Sequence, residues 1–209
     1  GEVVAATVSG AFDSETGFRL VCKRGELMQS EAERFDTSMA AVVKLTPERV
    51  QEVCNKYSEV YPVNFNCPGQ IVIGGARRAV DAAAQNALLL GARKAVPLKV
   101  KGAFHSPFMK AAAESFAEEL EKAETKERSI TLYSNMTAEV YTDDVVGLLS
   151  KQICSPVQWE KIIRNMIADG VDAFIEIGPG KTLTNMIKKI DAEVKAVSVN
   201  DYLAEVDVC

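Results

Sequence analysis

The 209-residue sequence lacks several residue patterns, and each absence excludes a class of protein. It contains one histidine and one tryptophan, and its five cysteines form no C-x-x-C pair. We therefore expect no zinc site, no other metal and no cofactor. No apolar run approaches the roughly 20 residues that a membrane-spanning helix needs. The sequence predicts a soluble protein that does not bind membranes.

Composition and charge narrow the class further. A hydrophobic fraction of 47% with 25% charged residues is typical of a globular protein. The net charge of -5 argues against a general nucleic-acid binder. An odd number of scattered cysteines predicts reduced thiols in a cytoplasmic protein, most of them filling the core. These cysteines are Cys22, Cys54, Cys67, Cys154 and Cys209.

The middle of the chain has a distinct order of elements. Thr46 and Pro47 are an N-cap and first helical residue, and the sequence Cys-Pro-Gly at 67–69 predicts a tight turn. The pattern predicts strand, helix, strand, strand, helix and strand over residues 39–45, 47–57, 60–66, 70–74, 77–90 and 95–101. This βαββαβ order is that of a ferredoxin-like unit. We assign residues 38–102 to a small subdomain inserted between residues 1–37 and 103–209.

The outer segments alternate helices and strands, which predicts a parallel sheet covered by helices. Helices are expected at 14–32, 107–122, 145–154, 157–168 and 181–190, and strands at 130–134, 173–177 and 196–199. Three strands are few for such a sheet, and the sequence begins abruptly in a helix-like segment. We expect the larger domain to lack its first strands.

Two residues suggest chemistry. His105 is the sole histidine and follows an apolar run, where it is either a structural residue or an acid-base group. Arg24 lies in the middle of an apolar helix stripe formed by Leu20, Val21, Leu27 and Met28. Its guanidinium either forms an ion pair inside the protein, reaches out to solvent, or binds a carboxylate of a ligand.

Six segments carry a resemblance when they are taken in order. They are GE at 1–2, KRGELMQ at 23–29, PVNFNCPGQ at 62–70, GAFHS at 102–106, SPVQW at 155–159 and EIGPG at 176–180. Together they resemble the malonyl-CoA:acyl-carrier-protein transacylases of bacterial type II fatty acid synthesis, over nearly the whole chain. The resemblance implies an α/β-hydrolase-like acyltransferase domain with an inserted ferredoxin-like subdomain. It also implies transfer of malonyl from malonyl-CoA to acyl carrier protein through a serine ester.

The resemblance assigns roles to individual residues. His105 matches the general base, and Gln152 matches the residue whose backbone carbonyl orients the imidazole. Arg24 matches the arginine that pairs with the malonyl carboxylate. Phe104 matches a residue that limits space beside the substrate α-carbon, and Asn66 is expected to line the pocket.

Two dibasic pairs stand out in an acidic chain and either solvate its surface or contact an acidic partner. The resemblance makes them the expected docking residues for acyl carrier protein: Arg93, Lys94, Lys188 and Lys189.

One departure from the family concerns its nucleophile. The family carries a serine in a Gly-His-Ser-x-Gly-Glu motif, of which this sequence has only the final Gly1 and Glu2. We therefore expect the nucleophile and the backbone donors of the oxyanion hole to be absent, and the chain alone to be inactive. A companion chain or segment would carry the serine. The alternatives are a non-catalytic module that binds carrier protein or malonyl groups, and an inactive remnant built around the ferredoxin-like subdomain.

Overall fold

The middle of the chain forms a four-stranded antiparallel sheet in the computed structural model, which describes residues 1–206. The strand order is β2-β3-β1-β4, and every pairing is antiparallel. This is the ferredoxin-like order, so the predicted fold of the middle segment is confirmed. Its limits at residues 38 and 102 stay a prediction. The elements are β1 (Thr37–Val43), α3 (Pro47–Asn55), β2 (Val60–Cys67), β3 (Gln70–Ala76), α4 (Arg77–Leu89) and β4 (Lys94–Pro97).

Local sequence explains how these elements begin and turn. The Thr46 side chain accepts a hydrogen bond from the Arg49 N–H, which caps α3 at the position predicted for it. Gly69 has a φ of 70° in the turn between β2 and β3, a conformation that costs glycine little. Apolar side chains of the sheet, among them Ile71 and Ile73, pack against α3 and α4 in one buried cluster. The insert therefore has a core of its own.

A second core lies among the helices that flank the insert. The predicted helix at 107–122 begins instead with a short 3₁₀ turn (Pro107–Met109), and another 3₁₀ turn (Gln152–Cys154) follows the helix at Val145–Lys151. Buried apolar residues from all these helices form one cluster that includes Leu20, Phe116 and Ile153. The α-helices are α1 (Glu2–Val8), α2 (Ser14–Arg34), α5 (Lys110–Glu121) and α6 (Val145–Lys151).

The last part of the chain holds a parallel strand pair. β5 (Ala173–Glu176) pairs with β6 (Lys195–Ser198), and the flanking helices are α7 (Trp159–Ala168), α8 (Thr182–Ile190) and α9 (Val199–Val206). The Glu176 carboxylate accepts hydrogen bonds from the Leu183 and Thr184 N–H groups, so the glycine-rich 176–182 segment is a helix-capping turn. The sequence did not predict α9.

The predicted strand at 130–134 is wrong. In the described part of the chain its ladder contact is a single bridge between Tyr133 and Val140. The Leu132 carbonyl accepts from the Tyr141 N–H at 2.8 Å, and the Ser134 N–H donates to the Glu139 carbonyl at 2.9 Å. These bonds close a local turn, because no neighbouring strand lies beside the segment among residues 1–206.

The expectation that the cysteines fill the core holds for two of the four that are described. Cys54 and Cys67 are buried, and burial raises the pKa of the Cys54 thiol to about 12, which leaves it unreactive. Cys22 is exposed and Cys154 is half-buried, which corrects the expectation for these two. Cys209 lies outside the described residues. Among the helices of residues 1–206, none has the length and apolar character needed to cross a membrane.

Gly75 provides a test of the strand geometry. A β-carbon at this position would lie 1.8 Å from the Glu59 carbonyl oxygen, which accepts the Ala76 N–H at 3.0 Å. We expect Gly75→Ala to lower the free energy of unfolding by roughly 3 kcal/mol or more, because backbone must move. Gly91 also has a positive φ of 99° but open space around it, so Gly91→Ala should cost only about 1 kcal/mol. Urea unfolding of both variants measures the difference, and equal losses would contradict the assigned clash.

Candidate active site

His105 lies where the chain leaves the inserted subdomain and enters the helical core. Its backbone has a φ of 59°, a left-handed conformation that is costly for a residue other than glycine. The His105 N–H donates to the Ile153 carbonyl at 3.2 Å, and the Ser106 side chain caps the 3₁₀ turn that follows. The surrounding structure therefore holds this strained residue in place from both sides.

The imidazole ring has a defined tautomer. Its Nδ1 lies 2.8 Å from the backbone carbonyl oxygen of Gln152. Because a carbonyl oxygen only accepts hydrogen bonds, Nδ1 carries the proton and Nε2 is left as the acceptor. Burial lowers the pKa of His105, the Gln152 carbonyl raises it, and the Arg24 charge lowers it further. The net lowering favours the neutral ring, which is the form that a general base requires.

Arg24 lies on α2 and reaches the same residue. Its Nη2 donates to the side-chain Oε1 of Gln152 at 3.2 Å. Burial lowers the pKa of the guanidinium, and Glu2 opposes this shift. Among residues 1–206, no carboxylate lies within 4.0 Å of Arg24, and its buried Nε makes no hydrogen bond. The internal ion pair considered from the sequence is therefore not formed in the described chain.

The apolar stripe around Arg24 is narrower than the sequence predicted. Leu20 and Met28 are buried and Leu27 is half-buried, but Val21 is exposed. Arg24 is itself half-buried, so part of its side chain can contact a ligand while its aliphatic stem lies against the helical core.

Glu2 is a component of this region to which sequence reasoning gave no role. Its side chain is 7% exposed and accepts hydrogen bonds from the Tyr141 hydroxyl at 2.6 Å and the Asn135 N–H at 3.1 Å. Burial raises the pKa of this carboxyl, and the two hydrogen bonds and Arg24 lower it. Its partners lie more than 130 residues away in sequence, so spacing alone carries no signal for them.

Phe104 and Asn66 occupy different surroundings. The half-buried Phe104 ring packs between the helical core and a small cluster of sheet residues that includes Val63. Asn66 lines a largely apolar cavity of about 590 Å³, together with Glu2 and Trp159. His105 and Arg24 do not line this cavity, so the structure brings Arg24, His105 and Gln152 together and leaves Asn66 to one side.

The dibasic pairs lie at opposite edges of the four-stranded sheet. Arg93 and Lys94 are on the side of edge strand β4, and α8, which carries Lys188 and Lys189, packs against β2 at the other edge. Three strand spacings separate these edges, which is roughly 14 Å. All four side chains are exposed, and none forms an ion pair within the described part of the chain. Their charges are available to a partner, but they do not form one compact patch.

A half-buried imidazole oriented by a backbone carbonyl, next to a cation with unused donors, is an arrangement suited to acyl transfer. The model of the acyl transferase domain matches residues 1–205, and the chain belongs to this family. It is 39% identical over 207 residues to malonyl CoA-acyl carrier protein transacylase from Bacillus subtilis, covering 96% of this chain and 65% of that protein. The chain thus spans about two thirds of the length of this relative.

Solved structures agree with this assignment. The malonyl CoA-acyl carrier protein transacylase from Clostridium perfringens superposes with a TM-score of 0.93 at 37% identity, over 100% of this chain and 70% of that one. A malonyl-transacylase solved in complex with a type II polyketide acyl-carrier protein, named PlMCAT:AntF, gives a TM-score of 0.94 at 32% identity. That match covers 99% of this chain and 68% of the other. The partly parallel α/β fold with its inserted antiparallel sheet is thus the fold of these enzymes.

The lowered pKa of His105 predicts how stability depends on pH. The unfolded chain takes up a proton near pH 6.5, whereas the folded chain does so only at a lower pH. The folded state thus binds fewer protons, and stability should fall as the pH drops from about 7.5 through 6.5 toward the folded pKa. His105→Gln should lack this component, since the chain has no other histidine. Urea unfolding of both proteins from pH 5.5 to 8 measures it, and a difference between them that does not change with pH would contradict the shift.

Proposed function

We propose that this chain supplies the base and the carboxylate-binding cation of an acyltransferase that moves malonyl from malonyl-CoA to acyl carrier protein. The observation that carries the proposal is Gln152, which contacts His105 through its backbone carbonyl and Arg24 through its side chain. One buried residue thus fixes the distance between a neutral imidazole and a cation. A malonyl thioester presents two matching groups, a reactive carbonyl and a free carboxylate.

The proposed reaction has two half-steps. In the first, His105 Nε2 takes the proton of a serine hydroxyl while the serine oxygen attacks the thioester carbonyl. The bond between carbonyl carbon and sulfur then breaks, and the CoA thiolate takes the proton from the imidazolium. In the second, the carrier-protein thiol attacks the malonyl ester by the same route in reverse. The Gln152 carbonyl stabilises the imidazolium that forms in each half-step, as a carboxylate does in a Ser-His-Asp triad.

Arg24 provides selectivity in this proposal. A guanidinium binds a carboxylate through two parallel hydrogen bonds, which fixes the orientation of the malonyl group as well as its charge. The Nε atom is buried within the described chain, so the proposed pair uses the N–H groups of Nη1 and Nη2 that Gln152 does not occupy. The proposed role of Phe104 is to limit the space beside the substrate α-carbon. Phe104 directly precedes His105 in the chain, and its side chain is only partly buried.

The nucleophile in this proposal is a serine. Among residues 1–206, the ring of His105 hydrogen-bonds to the Gln152 carbonyl, and no serine hydroxyl hydrogen-bonds to it. We therefore propose that residues 1–209 alone bind malonyl-CoA without transferring the malonyl group. Binding measurements on this chain then test the ligand contacts separately from catalysis, and release of CoA by the chain alone would contradict the proposal.

The proposed protein partner is acyl carrier protein. The relatives are named for transfer to that protein, and one solved neighbour is a complex of a malonyl-transacylase with its carrier protein. The exposed pairs Arg93–Lys94 and Lys188–Lys189 form no ion pairs in the described chain, so an acidic partner can neutralise them.

Substitution of Arg24 tests the carboxylate contact. We expect Arg24→Ala to weaken binding of malonyl-CoA by about 10-fold to 100-fold, the usual loss for charge-assisted hydrogen bonds. Acetyl-CoA, which lacks the second carboxylate, should bind as before. Isothermal titration calorimetry with both ligands measures the difference. Arg19→Ala, an exposed position on the same helix, is the matched control. Equal losses for the two ligands would rule out the clamp.

Reversal of charge on α8 tests the docking surface. We expect Lys188→Glu with Lys189→Glu to raise the Kd for acyl carrier protein by about tenfold at low salt, because like charges then face each other. Binding of malonyl-CoA should not change. Reversal of the exposed Lys56 and Lys126 provides the same change of net charge at other places. If both double variants weaken carrier binding equally, the effect is one of net charge and the docking assignment fails.

A further inference from the structure

We infer that the Gln152 side chain positions Arg24 for the ligand carboxylate without neutralising its charge. This role is separate from that of the Gln152 backbone carbonyl toward His105, and it rests on the proposed function. It makes Gln152 a positioning residue for selectivity as well as for the base.

The geometry that supports this inference joins two distant parts of the chain. Gln152 is the first residue of the 3₁₀ turn after α6, and Arg24 lies 128 residues earlier on α2. Gln152 is only 2% exposed, and Leu149 and Ile153 on either side of it are fully buried in the helical core. The Gln152 Nε2 makes no hydrogen bond in the described chain, so it is burial that restricts the rotamers of this side chain. An acceptor with few rotamers restricts the guanidinium to few orientations, which reduces the entropy that carboxylate binding must overcome.

The chemistry of the amide is suited to this task. A guanidinium has five N–H donors, and the Gln152 Oε1 occupies one on Nη2. The amide is neutral, so the positive charge remains for the ligand. A carboxylate in the same place would form an ion pair and compete with the malonyl group for the same donors. Residue 152 therefore has to be an acceptor, and it has to be uncharged.

The nearby acidic residue is restrained from competing. Glu2 influences Arg24 electrostatically, and its Oε1 accepts from Tyr141 and Asn135 while its buried Oε2 has no hydrogen-bond partner in the described chain. The Tyr141 and Asn135 contacts keep this carboxylate out of ion-pair range, because no Glu2 oxygen lies within 4.0 Å of an Arg24 nitrogen. In the described chain, Gln152 is thus the hydrogen-bonding partner of the Arg24 guanidinium. Orientation of Arg24 depends on this one contact and on packing along α2.

Two substitutions separate the side chain from the backbone carbonyl, because both keep the latter. Gln152→Met has a similar length but offers Arg24 no strong acceptor, and Gln152→Glu keeps the shape but adds a negative charge. We expect the methionine variant to weaken malonyl-CoA binding by about fivefold, and the glutamate variant by about 30-fold or more. Binding of acetyl-CoA should change less than twofold in both. Calorimetry on residues 1–209 gives all four values.

A second measurement checks that the base is not disturbed. The pH dependence of stability that His105 produces should be unchanged in Gln152→Met, since Nδ1 still meets the backbone carbonyl. If the side chain had a purely structural role, its loss would instead alter this pH dependence or weaken the binding of malonyl-CoA and acetyl-CoA alike. Either result overturns the inference. If the methionine variant does not fold, the glutamate variant, which is close to isosteric, decides the question alone.

Arg24→Ala in the same experiment distinguishes the inference from the proposed function. Loss of malonyl-CoA binding in Arg24→Ala but not in either Gln152 variant leaves the carboxylate clamp standing and overturns the positioning role. No loss in Arg24→Ala, or no binding of malonyl-CoA by the unsubstituted chain, contradicts the proposed function and with it this inference. In the double variant Arg24→Ala with Gln152→Met, we expect the same loss as in Arg24→Ala alone, because the side chain acts through Arg24.

Discussion

The hydrogen bond from His105 Nδ1 to the Gln152 carbonyl is the contact on which the candidate site depends. It joins the end of the inserted subdomain to the 3₁₀ turn after α6, across 47 residues of sequence. It selects the tautomer in which Nε2 is free, and it opposes the lowering of the His105 pKa that burial causes. The left-handed backbone conformation of His105 is strained, and this hydrogen bond is one of the contacts that stabilise it.

The fold supports this contact by anchoring both ends of the insert close to His105. Thr37, the first residue of β1, is buried, and its side-chain oxygen accepts the Ala103 N–H at 3.1 Å. Its carbonyl accepts from Arg77 Nη2 at 3.0 Å, which ties the start of α4 to the same point. The chain therefore enters and leaves the subdomain at one place, two residues before His105. A subdomain with its own core can then vary at its far edge without moving the imidazole.

The sequence predicted what local rules determine. The capped start at Thr46 and Pro47, the turn at 67–69 and the βαββαβ order follow from residue types at fixed short spacings, and the structure confirms them. The strand expected at 130–134 shows the limit of such rules, because a strand forms only beside a partner, and none lies next to this segment in residues 1–206. An alternating apolar pattern shows that a segment can form a strand. Whether the strand forms depends on a neighbouring strand in the folded chain.

The residues of the candidate site also fall into those that the sequence indicated and those that only the structure shows. The position of Arg24 among apolar neighbours signalled a cation that needs a partner, and His105 was conspicuous as the sole histidine. The side chain of Gln152 and the carboxylate of Glu2 gave no such signal, because their partners are more than 120 residues away in the chain. Only the folded structure shows that an amide, rather than a carboxylate, meets the guanidinium.

That choice of partner links binding to basicity. Arg24 lowers the pKa of His105, and a neutral amide leaves the arginine charge in place to do so. A carboxylate bound to Arg24 offsets part of that charge, so in the proposed reaction the imidazole becomes a stronger base when malonyl occupies the site. A glutamate at position 152 would offset the same charge permanently, with or without substrate. In the proposed reaction, a neutral residue at 152 therefore makes the basicity of His105 depend on the ligand.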